Sequence, residues 1–181
     1  MKKLFLIITV ATMSLMVEAQ THFPKSINIE LGAGVNDALN PSPVIGGGYV
    51  FNNWLSLYGR YSLATGKVEN NLLTYWEHNA EVYPAFTVYS YHDKWFISTL
   101  AGIIYKHQEL RGIPVPSRDV NGHNFGGVIG VEGEWHFARF LSAYAGVSYR
   151  GLFFKEETRL EPFGMVGIRM STRVFKKPGK I

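Results

Sequence analysis

The chain has 181 residues, of which 46% are hydrophobic, 14% aromatic and only 18% charged, with 19 glycines and a formal net charge of +4. That length suits one domain, and the composition excludes disorder and favours β structure over a helical bundle. Cysteine is absent, which excludes disulfides, thiolate metal sites, a cysteine nucleophile and a lipidated cysteine.

Lys2 and Lys3 precede an uncharged run, Leu4 to Val17, and Val17-Glu18-Ala19 places modest residues where a signal peptidase reads. The pattern predicts a cleaved signal peptide over residues 1–19 and a mature domain over 20–181. The run is too short for a transmembrane helix, which needs roughly 20 apolar residues, and no later stretch qualifies. The product is expected to be exported. Without Lys2, Lys3 and Glu18 the net charge falls from +4 to +3, too small an excess to identify a partner.

The rest divides into eight segments of period-two alternation. In the first, Ile27, Ile29, Leu31, Ala33 and Val35 oppose Asn28, Glu30, Gly32, Gly34 and Asn36. The second, Val44 to Phe51, holds Gly46, Gly47 and Gly48, and its faces cannot be assigned. The third sets Leu55, Leu57, Gly59, Tyr61 and Leu63 against Trp54, Ser56, Tyr58, Arg60 and Ser62. The fourth sets Trp76, Ala80, Val82, Phe86 and Val88 against Tyr75, Glu77, Asn79, Glu81 and Tyr83. The fifth runs Trp95, Ile97, Thr99, Ala101, Ile103 and Tyr105 along one face, with Lys106 ending the other.

In the sixth, Phe125, Ile129, Val131, Trp135 and Phe137 oppose Asn124, Glu132, Glu134 and His136. The seventh opposes Leu141, Ala143, Ala145, Val147, Tyr149 and Phe153 to Ser142, Tyr144, Ser148 and Arg150. The eighth opposes Val166, Ile168, Met170 and Val174 to Arg169, Ser171 and Arg173. No segment carries charges on both faces.

Connections alternate between tight (Asn52-Asn53, Tyr91 to Lys94, Ala138-Arg139) and longer (Asp37 to Pro43, Thr65 to Leu72, His107 to Gly122, Lys155 to Arg159). Short periplasmic turns and longer outer loops are the habit of an eight-stranded antiparallel up-and-down transmembrane β-barrel in the bacterial outer membrane. Both termini are then periplasmic and lipid is the first partner. Trp54, Trp95 and Trp135 beside short turns, with Trp76 near the opposite rim, fit aromatic girdles. A soluble lipocalin-type barrel would turn its apolar face inward, but its outer face should be richer in Lys and Glu than the Ser, Tyr, Gly and Asn found here.

Eight strands enclose little beyond side chains. Charges inside must pair, and Glu30, Glu77, Glu81, Glu132 and Glu134 are expected to meet Arg60, Lys106, Arg150, Arg169 and Arg173. Five acids facing five bases describe a neutralised, side-chain-filled interior, not an open channel.

Sites for chemistry are sparse. His78 and His123 lie on apolar faces near the outer rim, where a lipid A-modifying enzyme would want a histidine beside a serine or aspartate. Ser62 and Asn124 are the neighbours on offer, but Ser62 should point inward. The histidines, including His107 and His136, form no HExxH pattern, so no metal site is expected. The glycine groups match no phosphate-binding loop, no cofactor or small-molecule substrate is indicated, and the protein is read as non-enzymatic. Lys176, Lys177 and Lys180 form a short basic tail over residues 176–181 without interleaved aromatics, so direct nucleic-acid binding is not expected. The long link with Pro114 and Pro116 is the natural place for recognition.

Further residues carry a likeness: Gln20-Thr21-His22-Phe23-Pro24-Lys25, Ile29-Glu30, Glu81-Val82-Tyr83, Leu100-Ala101-Gly102 with Tyr105, and Asn124-Phe125-Gly126-Gly127. Gly130-Val131-Glu132-Gly133-Glu134, Arg150 and Phe163-Gly164-Met165-Val166-Gly167-Ile168-Arg169 extend it over nearly all of the mature chain. In these the chain resembles the conjugative-transposon TraO proteins of Bacteroides-type bacteria. Thr21, where that family usually has Arg, and the residues beyond Phe175 depart from the pattern. The resemblance implies a non-enzymatic outer-membrane component of a conjugative DNA-transfer apparatus, working beside other proteins of that apparatus. A general surface-binding or envelope barrel is the alternative, with the lipid A-modifying enzyme behind it.

Overall fold

A computed structural model of the chain describes residues 24–36, 40–68, 73–112, 122–138, 140–153 and 159–173. The expected signal segment 1–19, the loop prolines Pro114 and Pro116 and the basic stretch 176–181 lie outside the described residues. Eight strands form a closed antiparallel barrel in sequential order: β1 (Ser26–Val35), β2 (Pro41–Val50), β3 (Leu55–Val68), β4 (Leu73–Tyr91), β5 (Trp95–Gly112), β6 (Gly122–Ala138), β7 (Leu141–Leu152) and β8 (Arg159–Arg173). β8 closes on β1 with Ser26 opposite Arg173, so β1 begins and β8 ends beside the tight connections, at what we term the turn end. No helix among the described residues is long and apolar enough to cross a membrane; this fold crosses with strands.

Polarity is inverted. The most buried side chains include Glu30, Ser142 and Arg169, whereas Leu31, Ile103, Ile129 and Val147 are each more than 60% exposed on the outer wall. A bilayer explains the inversion, because hydrocarbon solvates the outer wall while the lumen collects the polar residues. Closure also removes every unpaired strand edge. This is a transmembrane β-barrel with its interior filled by side chains.

Turn chemistry fixes the turn end. Asn52 Oδ1 accepts hydrogen bonds from the backbone N–H groups of Trp54 (3.0 Å) and Leu55 (2.9 Å), an Asx turn feeding β3. His92 and Asp93 both have positive φ, 50° and 53°, and Lys94 N–H donates to Tyr91 O at 3.1 Å. That backbone sense matches the twist of the flanking strands. Trp54 is corrected here: it shares sequence parity with inward Ser56, but it sits in the turn ahead of β3, exposed and stacked on Phe86 at 6.2 Å.

The strands at the other end, the loop end, run further than their apolar alternation. β3 continues to Val68 and β5 to Gly112, so much of the expected links Thr65 to Leu72 and His107 to Gly122 is ladder. Beyond the apolar band the outward positions no longer need to be hydrophobic, which erases the sequence signal while the backbone pairing persists.

The glycines of β2 find their reason in the register. Glu30, Gly46 and Arg60 are successive partners across β1, β2 and β3, and Asn28, Gly48 and Tyr58 form the next row. The Glu30–Arg60 ion pair (2.8 Å) and the Asn28–Tyr58 hydrogen bond (2.9 Å) both join strands on either side of β2. A Cβ on Gly46 would collide with Glu30, and one on Gly48 with the Tyr58 ring. Even-numbered β2 residues therefore face the lumen, with Ser42 and Val44 buried and Ile45 exposed.

Candidate functional site in the lumen and at the rim

The lumen is crossed by ion pairs in three levels. Nearest the turn end, Arg60 on β3 holds Glu30 on β1 through two bonds (2.8 and 3.1 Å) and reaches Glu132 on β6 (2.8 Å). Arg169 on β8 binds Glu30 (2.8 Å), Glu132 (2.7 Å) and, at short range, Glu134. Ser142 Oγ donates to Glu134 at 2.5 Å, and His136 Nε2 lies 3.0 Å from the same carboxylate. The Arg169 guanidinium lies over Tyr58 (4.4 Å) and Tyr144 (4.9 Å), and that of Arg60 over Tyr83 (5.1 Å). Aromatic faces thus cover what the carboxylates leave open.

Above this level Arg150 on β7 meets Glu81 on β4 at 2.6 Å and rests on the Phe163 ring at 3.6 Å. Closest to the loop end, Lys106 on β5 sits between Glu77 on β4 (3.0 Å) and Glu161 on β8 (2.7 Å). Asn79 and Gln108 donate to Glu77 at 2.9 and 3.2 Å. At every level a pair joins strands that are not neighbours, so the bonds run across the lumen. Such charges would each carry a desolvation cost if left single.

Glu30, Arg60, Glu77, Glu81, Lys106, Glu132, Glu134, Arg150 and Arg169 are all placed in the lumen, whereas the side chain of Arg173 lies outside the described residues. The expected five-to-five balance is corrected by Glu161, missed at the start of β8 although it shares parity with Arg169 and Phe163. Among the described residues six buried acids face four Arg or Lys side chains, with His136 beside Glu134. Tyr58, Tyr83 and Tyr144 were legible as inward residues, but not as plates for guanidinium groups.

On the outer wall, Trp95 stacks on Trp135 at 5.5 Å near the turn end, and Trp76 stands at the loop end opposite Glu109 and Thr65. His78 and His123 point outward, while Ser62 and Asn124 are buried inside, so these four do not converge. Among the described residues no group of three or more His, Asp or Glu is arranged to hold a metal.

No protein-family model matches the chain. No curated protein matches it in sequence. Its fold is shared with solved outer-membrane barrels. The N-terminal β-barrel domain of Pseudomonas aeruginosa OprF superposes with a TM-score of 0.66 at 13% identity, covering 82% of this chain and 98% of that one. OprG of the same organism gives 0.62 at 8% identity (87% and 100% covered), and Ail, the attachment invasion locus protein of Yersinia pestis, gives 0.61 at 12% (83% and 100%).

Proposed function

We propose that this chain is a non-enzymatic outer-membrane barrel that anchors or stabilises a conjugative DNA-transfer apparatus. In this reading a cleaved signal peptide delivers it, both termini lie in the periplasm, and turns or tail are offered to other proteins of the apparatus. The observation that carries the reading is the set of lumen-spanning ion pairs, such as Arg60 to Glu132 at 2.8 Å and Lys106 to Glu161 at 2.7 Å. A barrel bolted shut by its own side chains passes neither DNA nor solute, which leaves its surfaces to do the work. The conjugation element rests on the resemblance to TraO proteins, and the fold by itself would not supply it.

Deleting the gene from a donor that carries its native mobile element tests this. Transfer frequency should fall strongly and return with a restored copy. Undiminished transfer would sink the conjugation reading and favour a surface-binding role. That second reading is supported by the shared fold of Ail, which has been solved with the heparin analogue sucrose octasulfate. A change in lipid A mass on overexpression would instead revive the enzymatic reading.

A further inference from the structure

Three histidines on neighbouring strands form one row across the outer wall. His78 on β4 is the register partner of His107 on β5, which is in turn the partner of His123 on β6. Their rings follow one another at 6.1 and 4.5 Å, the second pair stacked. One row nearer the turn end lie Tyr61, Ala80, Tyr105 and Phe125. The two tyrosines reach up from that row: Tyr61 OH is 2.5 Å from His78 Nδ1, and Tyr105 OH makes a short bond to His123 Nδ1.

Those bonds orient the donors. A phenol is the natural donor to an imidazole nitrogen, so Nδ1 of His78 and His123 accepts and the proton sits on Nε2. Both flanking rings then present N–H groups away from the tyrosines. Between them, His107 Nδ1 is buried without a hydrogen-bond partner among the described residues. The row thus offers imidazole N–H donors and a polar atom still to be satisfied.

Height selects the occupant. From Trp95 to His107 along β5, a rise of ~3.3 Å per residue at a tilt of ~45° gives ~28 Å along the barrel axis, close to the thickness of the apolar band. Below the row the wall is hydrocarbon-facing, with Val82, Ile103 and Phe125 exposed. A ligand here therefore has its polar part at the histidines and its apolar part on the barrel. Glu109 stands one row toward the loop end, opposite Trp76, and is engaged in an interaction of its own.

We propose that His78, His107 and His123, oriented by Tyr61 and Tyr105, bind the phosphate of an outer-leaflet lipid headgroup. The proposal rests on the outer-membrane half of the functional reading and is independent of conjugation.

The test places the full chain in dodecyl maltoside micelles, which carry no phosphate, with either diphosphorylated lipid A or the same lipid with its phosphates removed. Lipid retention is followed by native mass spectrometry, and the imidazole nitrogens by NMR. The phosphorylated lipid should be retained in preference and should shift the nitrogens of all three histidines. H78N/H107N/H123N should lose that preference about tenfold, while H92N, in the turn at the other end, keeps it. The NMR arm on the unaltered chain stands even if the triple variant fails to fold. Equal retention of both lipids, histidine shifts of the same size with inorganic phosphate alone, or full preference in the triple variant would each overturn the proposal. A barrel that binds the lipid yet is dispensable for DNA transfer would overturn only the conjugation reading.

Discussion

The two ends of the lumen solve one problem with different cations. Toward the turn end, two arginines share three carboxylates, and each guanidinium is covered by tyrosine rings. Toward the loop end, a single lysine stands between two carboxylates, helped by the amides of Asn79 and Gln108. The planar fork of arginine can serve several acceptors and stack at once, whereas a lysine is a compact point charge that tolerates looser surroundings. The turn-end level therefore ties four strands into one network, and the loop-end level is a local clasp. Stability should be concentrated at the first.

Arg169→Met breaks the comparison hardest. It leaves Glu134 without its arginine and Glu30 and Glu132 with Arg60 alone, and the cost should be about 3–5 kcal/mol. Heat resistance of the folded band in gel electrophoresis should be lost at temperatures where the unaltered barrel survives; unchanged resistance would argue against the network. Ile129→Arg, on the exposed outer wall, should cost about 2–4 kcal/mol when the barrel refolds into bilayers. Urea titration in vesicles measures it, and a neutral effect would contradict the lipid-facing assignment.

Lys106→Met should cost less than Arg169→Met, about 1–3 kcal/mol, because the clasp has polar neighbours that adapt. Adding Glu77→Gln and Glu161→Gln should restore most of that loss, since removing all the charges of a buried set is often close to neutral. The same titration reads both variants, and a triple variant as weak as the single one would show that charge was not the cause. The smallest contrast is between glycines. Gly46→Ala crowds the Glu30–Arg60 pair and should cost about 1–3 kcal/mol, whereas a Cβ on outward Gly59 meets nothing nearer than 4.0 Å and Gly59→Ala should lie within about 0.5 kcal/mol of neutral.

Legibility followed the alternation. Ile27 to Val35 on one side and Ser142, Tyr144, Ser148 and Arg150 on another could be sorted inward or outward by parity, since a strand offers only two faces. Parity failed where the pattern lacked side chains or contrast. The faces of Gly46 to Gly48 carry no side-chain signal, and they are decided by the ion pair that passes beside Gly46. Glu161 was hidden by the loop-like residues before it, and His107 by the polar stretch that follows, although both sit within ladders.

By itself, the sequence determined the strand count, the inside-out polarity and the acids and bases that had to meet. Those follow from chain periodicity and from the cost of burying a lone charge, which are local or compositional facts. Which carboxylate meets which base, the row of three histidines and the need for glycine at position 46 were decided only by closure of the barrel. Register across strands brings Glu30 to Arg60, and His78 to His107 and His123, from distant parts of the chain. Periodicity fixes which face a residue takes, while its partner depends on how far each strand slides along the next.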